Sequence, residues 1–208
     1  MELLKLSVCM LRHPADTLKS IKAHRSKMSI VPMLVLLLLV VAARFISLFI
    51  IHYPFQTTPV SEINFFLEGA IYVVPVFTWG VAFFAMTSIM DGEATVKESL
   101  TSAAFCMVPL IVTQIPFALL TRIMSLDDIF FYEMINIAIW TWTVILFIMS
   151  VKVMNDYTLG KTIGICILNI LAIALIWAVV LLVYALANQL FQFIVGMGKE
   201  IRFVLFQK

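Results

Sequence analysis

The sequence predicts an all-α polytopic membrane protein: a five-helix transmembrane bundle with an N-terminal amphipathic surface helix and a C-terminal interfacial helix. Three observations carry that expectation. Of 208 residues, 63% are hydrophobic and only 12% charged, whereas soluble domains run at about half apolar and about a quarter charged. The apolar residues gather into five runs, each long enough for a hydrocarbon core of about 30 Å, which takes roughly 20 helical residues. None of the runs shows the alternation of a membrane barrel, and open strands in lipid would leave backbone groups unpaired.

The elements follow in order. Residues 1–28 are polar and basic and form a cytoplasmic amphipathic segment. Pro14 suits a first helical turn, and Leu18 and Ile21 share a face with lysines around them, the pattern of a helix lying on a membrane surface. A signal peptide is not expected, because the following apolar run exceeds the roughly 15 residues of a signal core and no A-x-A pattern follows it. The transmembrane domain covers 29–190, with spans at 29–53, 65–90, 100–121, 130–151 and 162–186. The last apolar run extends to Val195, too long for one span, and Asn188, Gln189 and Gln192 mark where it leaves the hydrocarbon. Residues 191–208 then form an interfacial tail.

Orientation follows from lysine and arginine bias. With the N-terminus cytoplasmic, Lys5, Arg12, Lys19, Lys22, Arg25, Lys27, Lys97, Lys152 and Lys161 fall inside, and Arg122, Lys199, Arg202 and Lys208 outside. That is the arrangement the positive-inside rule favours, and it implies a multi-pass protein of the cell membrane with membrane lipids as its surroundings.

Polar residues recur on single faces of the spans. Glu68, Tyr72, Pro75 and Trp79 lie on one face of the second span, and Ser102, Cys106, Pro109, Thr113 and Pro116 on one face of the third. Asn136, Trp140, Thr143, Phe147 and Ser150 do likewise in the fourth. Such stripes serve helix packing or line a path. Arg44 interrupts the first span. A charge at a helix centre costs at least about 2.5–3.5 kcal/mol on insertion scales and rarely faces lipid. Glu68, near the start of the second span, is the carboxylate within reach, so an intramembrane Arg44–Glu68 ion pair is expected. On the cytoplasmic side, Asp91, Gly92 and Glu93 close the second span, and Asp156, Tyr157 and Lys161 lie between the fourth and fifth. Together with the basic N-terminal helix they form one polar face. Gly160 and Gly164 have the small-x-x-x-small spacing that permits close helix approach.

Catalytic and metal patterns do not occur. The three cysteines, Cys9, Cys106 and Cys166, are far apart, and the three histidines lie in flanking segments. Neither H-E-x-x-H nor G-x-S-x-G is present, so no cofactor, metal or enzymatic activity is expected. A net charge of +2 gives no field for nucleic acid.

Three stretches resemble the bacterial branch of the Yip-one (Yip1) domain family, five-span membrane proteins. They are His13-Pro14-Ala15-Asp16-Thr17 before a short basic helix; Met86-Thr87-Ser88-Ile89-Met90-Asp91-Gly92-Glu93 followed by Lys97-Glu98 and Val108-Pro109; and Asp156-Tyr157 followed by Gly160-Lys161-Thr162. The resemblance implies a partner-binding membrane protein with no chemistry of its own. Eukaryotic members look like trafficking proteins that bind small GTPases through a long N-terminal region absent here, so GTPase binding is not expected. Bacterial relatives are associated with ABC-type solute uptake systems. The reading is a non-enzymatic membrane scaffold or adaptor for a membrane complex, with an ABC-type transporter as suspected partner. Asp91, Gly92, Glu93, Asp156, Tyr157 and Lys161 are its contact residues. The alternative is a small transporter or permease subunit using the intramembrane stripes, and either reading is compatible with a homo-oligomer.

Overall fold

The computed structural model describes residues 2–24, 30–53, 55–56 and 59–206, and side chains within 5–197. Arg25, Lys27 and Lys208, which entered the charge bias, lie outside the described residues, as do the side chains of Lys199 and Arg202. Every regular element among the described residues is helical: α1 (Glu2–Arg12), α2 (Pro14–Ala23), α3 (Val31–Ile50), α4 (Phe65–Ile89), α5 (Val96–Cys106), α6 (Val108–Leu120), α7 (Ile129–Asn155) and α8 (Leu159–Phe206). Five stretches are long and apolar enough to cross a membrane, with α5 and α6 together forming the third.

Local chemistry sets the ends. Asn64 caps α4, its side-chain oxygen accepting from the Phe66 and Leu67 amides, which satisfies donors that have no partner inside the helix. Thr95 and Glu98 form a reciprocal capping box at the start of α5. The third span, expected as one helix over 100–121, begins earlier and is interrupted. α5 stops at Cys106, Met107 closes a tight turn onto the Ala104 carbonyl, and α6 restarts at Val108. Pro109 has no amide to continue the ladder and disfavours helical geometry before it.

The first of two compact units, Met1–Asn169, has its core between α3, α4, α5, α6 and α7. Val40 of α3, Val76 and Phe83 of α4, Phe105 and Met107 at the α5–α6 break, and Leu146 of α7 are all buried. Gly80 brings α4 against α5, since a β-carbon there would stand 2.6 Å from Leu100 Cδ2 and 3.1 Å from its Cα. The N-terminal segment is two helices, divided at His13-Pro14. α2 is amphipathic as its spacing predicts, but Leu18 and Ile21 are buried in the protein core, with α2 packed on α7 and α5. That face is covered by protein, which fills the space above α5 and α7 more tightly than lipid would. Outward residues such as Leu38, Phe49, Phe66 and Ile137 remain exposed and apolar, the surface a hydrocarbon solvent requires.

The second unit, Ile170–Lys208, is the remainder of α8. The expected break after Leu186 does not occur: the backbone stays helical through Asn188, Gln189 and Gln192 to Phe206. Glutamines are good helix formers, and no proline interrupts the segment.

Candidate functional site

Two helix ends and α2 meet at one end of the first unit. α4 terminates at Met90, after which Asp91 takes a left-handed conformation, φ 56°, and Gly92 N–H donates to the Thr87 carbonyl at 2.7 Å. α7 ends in the same way, with Asp156 at φ 52° and Tyr157 N–H donating to the Lys152 carbonyl at 3.1 Å. Both are Schellman-type turns, which ordinarily place glycine at the left-handed position. Here aspartate holds it, one of the few side chains that visits this region readily. Gly92 is needed for a different reason: a β-carbon there would lie 2.6 Å from Tyr157 Oη, 2.7 Å from Asn155 Oδ1 and 2.7 Å from Thr87 Cβ.

Long-range bonds tie the two turns together. The Met90 carbonyl, left without an intrahelical partner by the end of α4, accepts from Tyr157 Oη at 3.3 Å and from Lys161 Nζ at 3.1 Å. Lys161 also lies 4.3 Å from the centre of the Tyr157 ring, a cation–π contact in addition to its charge at a helix C-terminus. Buried Asn155 accepts the Ala94 amide on Oδ1 at 3.1 Å and donates from Nδ2 to the Val151 carbonyl. From α2, Lys22 Nζ reaches Asp156 Oδ2 at 2.5 Å and Glu93 Oε2 at 3.4 Å, one cation clamping a carboxylate from each turn.

Burial alone would lower the Lys22 pKa, but the hydrogen bond and charge of Asp156, with Glu93 behind them, hold it above its ordinary value. Burial raises the Tyr157 phenol, and the Asp91 charge raises it further.

The six residues chosen from the sequence thus come together and divide by role. Asp91, Glu93, Asp156 and Lys161 are exposed. Tyr157 is only 7% exposed, and it and Gly92 hold the turns from within. Sequence reasoning did not single out Lys22, the Asn155 amide or the Met90 carbonyl. Lys22 could have been noticed as the lysine next to buried Ile21, but Met90 contributes through its backbone and carries no residue-type signal. Gly160 and Gly164 do not mark a close approach: a β-carbon at either would meet nothing within 4 Å.

The intramembrane residues lie elsewhere. Arg44 Nε donates to Glu68 Oε2 at 2.9 Å, with side chains 25% and 22% exposed. The stripes of α4 and α7 face each other, Tyr72 stacked on Trp140 with centroids 6.1 Å apart and Trp79 against Phe147 at 5.0 Å. The stripe hydroxyls of α7 and α6 donate to their own helix backbone: Thr143 to the Ile139 carbonyl and Ser150 to Phe147 in α7, and Thr113 to Pro109 in α6. Among the described residues no group of three or more histidines, cysteines or carboxylates could hold a metal.

Such a bundle, apolar outside and lacking a metal cluster among its described residues, defines an all-helical polytopic membrane protein. Residues 8–190 match the Yip1 domain, and the chain belongs to the Yip1 family. No curated protein and no solved structure matches it.

Proposed function

We propose that this Yip1 protein is a non-enzymatic membrane scaffold that docks a membrane partner complex through Asp91, Glu93, Asp156 and Lys161. The observation that carries the reading is the geometry of the two stapled turns. Glu93 and Asp156 are 62% and 77% exposed on their side chains, yet Lys22 binds both carboxylates from one side, and the turns that carry them are tied together by Asn155 on the Ala94 amide, Tyr157 on the Met90 carbonyl and the close packing of Gly92. Charged groups fixed on a rigid base lose little freedom on binding and favour charge-complementary partners. The partner surface is therefore basic. Its assignment to an ABC-type uptake complex, and of this face to the cytoplasmic side of the cell membrane, rests on the family resemblance and the positive-inside bias. A permease path along the stripes is disfavoured by the paired rings that occupy them.

The test is purification in mild detergent from native membranes, comparing wild type with Asp91→Asn/Glu93→Gln/Asp156→Asn. Asparagine tolerates the left-handed positions, so the variant removes charge with little backbone strain. The partner should be lost while insertion and melting remain near wild type. Undiminished co-purification would overturn the assignment.

A further inference from the structure

At the other end of the first unit lies a cavity of about 380 Å³ bounded by Arg44, Glu68, Glu62, Asn64, Gln56 and Tyr132. We propose that it binds a zwitterionic phosphodiester headgroup, with the phosphate on the terminal nitrogens of Arg44 and the ammonium toward Glu62, and that a membrane phospholipid supplies it.

The guanidinium carries the argument. It meets Glu68 side-on through Nε, and among the described residues neither terminal nitrogen donates a hydrogen bond. Four N–H groups therefore remain in the planar fork that suits phosphate oxygens. A second donor is at hand: Asn64 uses its oxygen to cap α4, and its amide nitrogen makes no hydrogen bond among the described residues. The first turn of α4 adds the positive end of the helix dipole.

Charge balance selects the rest of the ligand. Among the described residues of the cavity lining, Arg44 is the one cation beside two carboxylates, Glu68 and Glu62, so the lining is already net negative and an anion alone would add to that charge. A phosphate carrying its own ammonium leaves the net charge of the cavity unchanged and gives exposed Glu62 a counter-ion. A second anionic group, or an uncharged glycerol in place of the ammonium, does not.

Depth favours lipid over a soluble phosphodiester. Arg44 lies six residues before the end of α3, about 9 Å, and Glu68 three residues into α4, about 4.5 Å, close to the headgroup level. Leu67 lines the cavity and is itself exposed, as are its neighbour Phe66 and, stacked on Phe65 of the same turn, Phe49, so acyl chains have apolar surface to run along from a headgroup seated inside.

The full chain, purified and delipidated, would be titrated with ethanolamine- and glycerol-headgroup phospholipids and read by native mass spectrometry. Wild type should bind the ethanolamine lipid about tenfold more tightly, the scale of one charge-assisted hydrogen bond. Arg44→Gln/Glu68→Gln should weaken it about tenfold or more. Glu62→Gln, which leaves the ion pair intact, should abolish the headgroup preference. Equal affinity of wild type and the double variant, or no preference in wild type, would overturn the site. Displacement by equimolar soluble glycerophosphoethanolamine would overturn the lipid as source.

Discussion

Gly92 and Tyr157 approach so closely that a β-carbon on the glycine would stand 2.6 Å from the phenolic oxygen. Gly92 has no positive φ; the left-handed residue is its neighbour Asp91. The pair Asp91-Gly92 thus separates two demands that glycine often meets alone, backbone reversal and close approach. That separation leaves a carboxylate at the apex of the turn, where it can face solvent.

Replacing Gly92 with alanine is expected to destabilise the protein by about 1–3 kcal/mol, the range for overpacking a closed site. The β-carbon meets Thr87 Cβ, fixed to the backbone of α4, and the buried Asn155 Oδ1, which cannot move without losing its bond from the Ala94 amide. Gly160→Ala, in open space on α8, should be neutral or gain up to about 1 kcal/mol from helix propensity. Thermal melts in one detergent decide it, and equal losses in both variants would contradict the packing account.

The Lys22 clamp joins residues 134 positions apart, and its strength is modest because Asp156 is mostly exposed. A double-mutant cycle with Lys22→Met and Asp156→Asn should give a coupling of about 0.2–1 kcal/mol. The larger effect should be local, as faster amide exchange in α2 with little change in the bundle. Unaltered exchange in α2 would show that Leu18 and Ile21 hold that helix without the charge.

This clamp marks where the sequence stops being legible. The five apolar runs were readable because the bilayer sets their length, and α4 (Phe65–Ile89) begins and ends almost where the apolar run 65–90 does. Pro75, Pro109 and Pro116 each allowed a discontinuous helix, and the sequence did not say which: Pro75 and Pro116 sit inside intact helices, while the break falls beside Pro109. Spacing placed Leu18 and Ile21 on one face of α2 without saying that protein would cover it. Amphipathic patterns specify a face, while the surface that meets it is set by residues far away in the chain. Gly80 against Leu100 was invisible for the same reason. Asp91, Glu93, Asp156 and Lys161 could be grouped by loop position, but the lysine between two of them comes from α2, and the acceptor for Lys161 is a backbone carbonyl.

The clamped turns should loosen in alkali. Lys22 titrates above its ordinary 10.5 and Tyr157 above 10.0, so the folded state holds both protons more tightly than the unfolded one. Their contribution is complete below about pH 10 and is lost as pH rises through the folded values. Proteolysis at the two turns, followed between about pH 9 and pH 11.5, should accelerate in wild type. In Lys22→Met/Tyr157→Phe the alkaline acceleration should be flattened; an unchanged alkaline limb would assign it to other groups.

The Arg44–Glu68 pair gives the sharpest asymmetry between single and double substitution. Removing one partner leaves an unbalanced charge within a spanning helix, and partly exposed flanks allow some hydration, so either Arg44→Gln or Glu68→Gln should cost about 2 kcal/mol or more. Changing both removes the two desolvation costs together with the attraction and leaves groups that can still hydrogen-bond, so the double variant should melt closer to wild type than either single one. Melts of the four proteins in the same detergent measure this directly. Additive losses would mean that the residues act independently, each stabilised by water or lipid, and that the 2.9 Å contact does not hold α3 against α4.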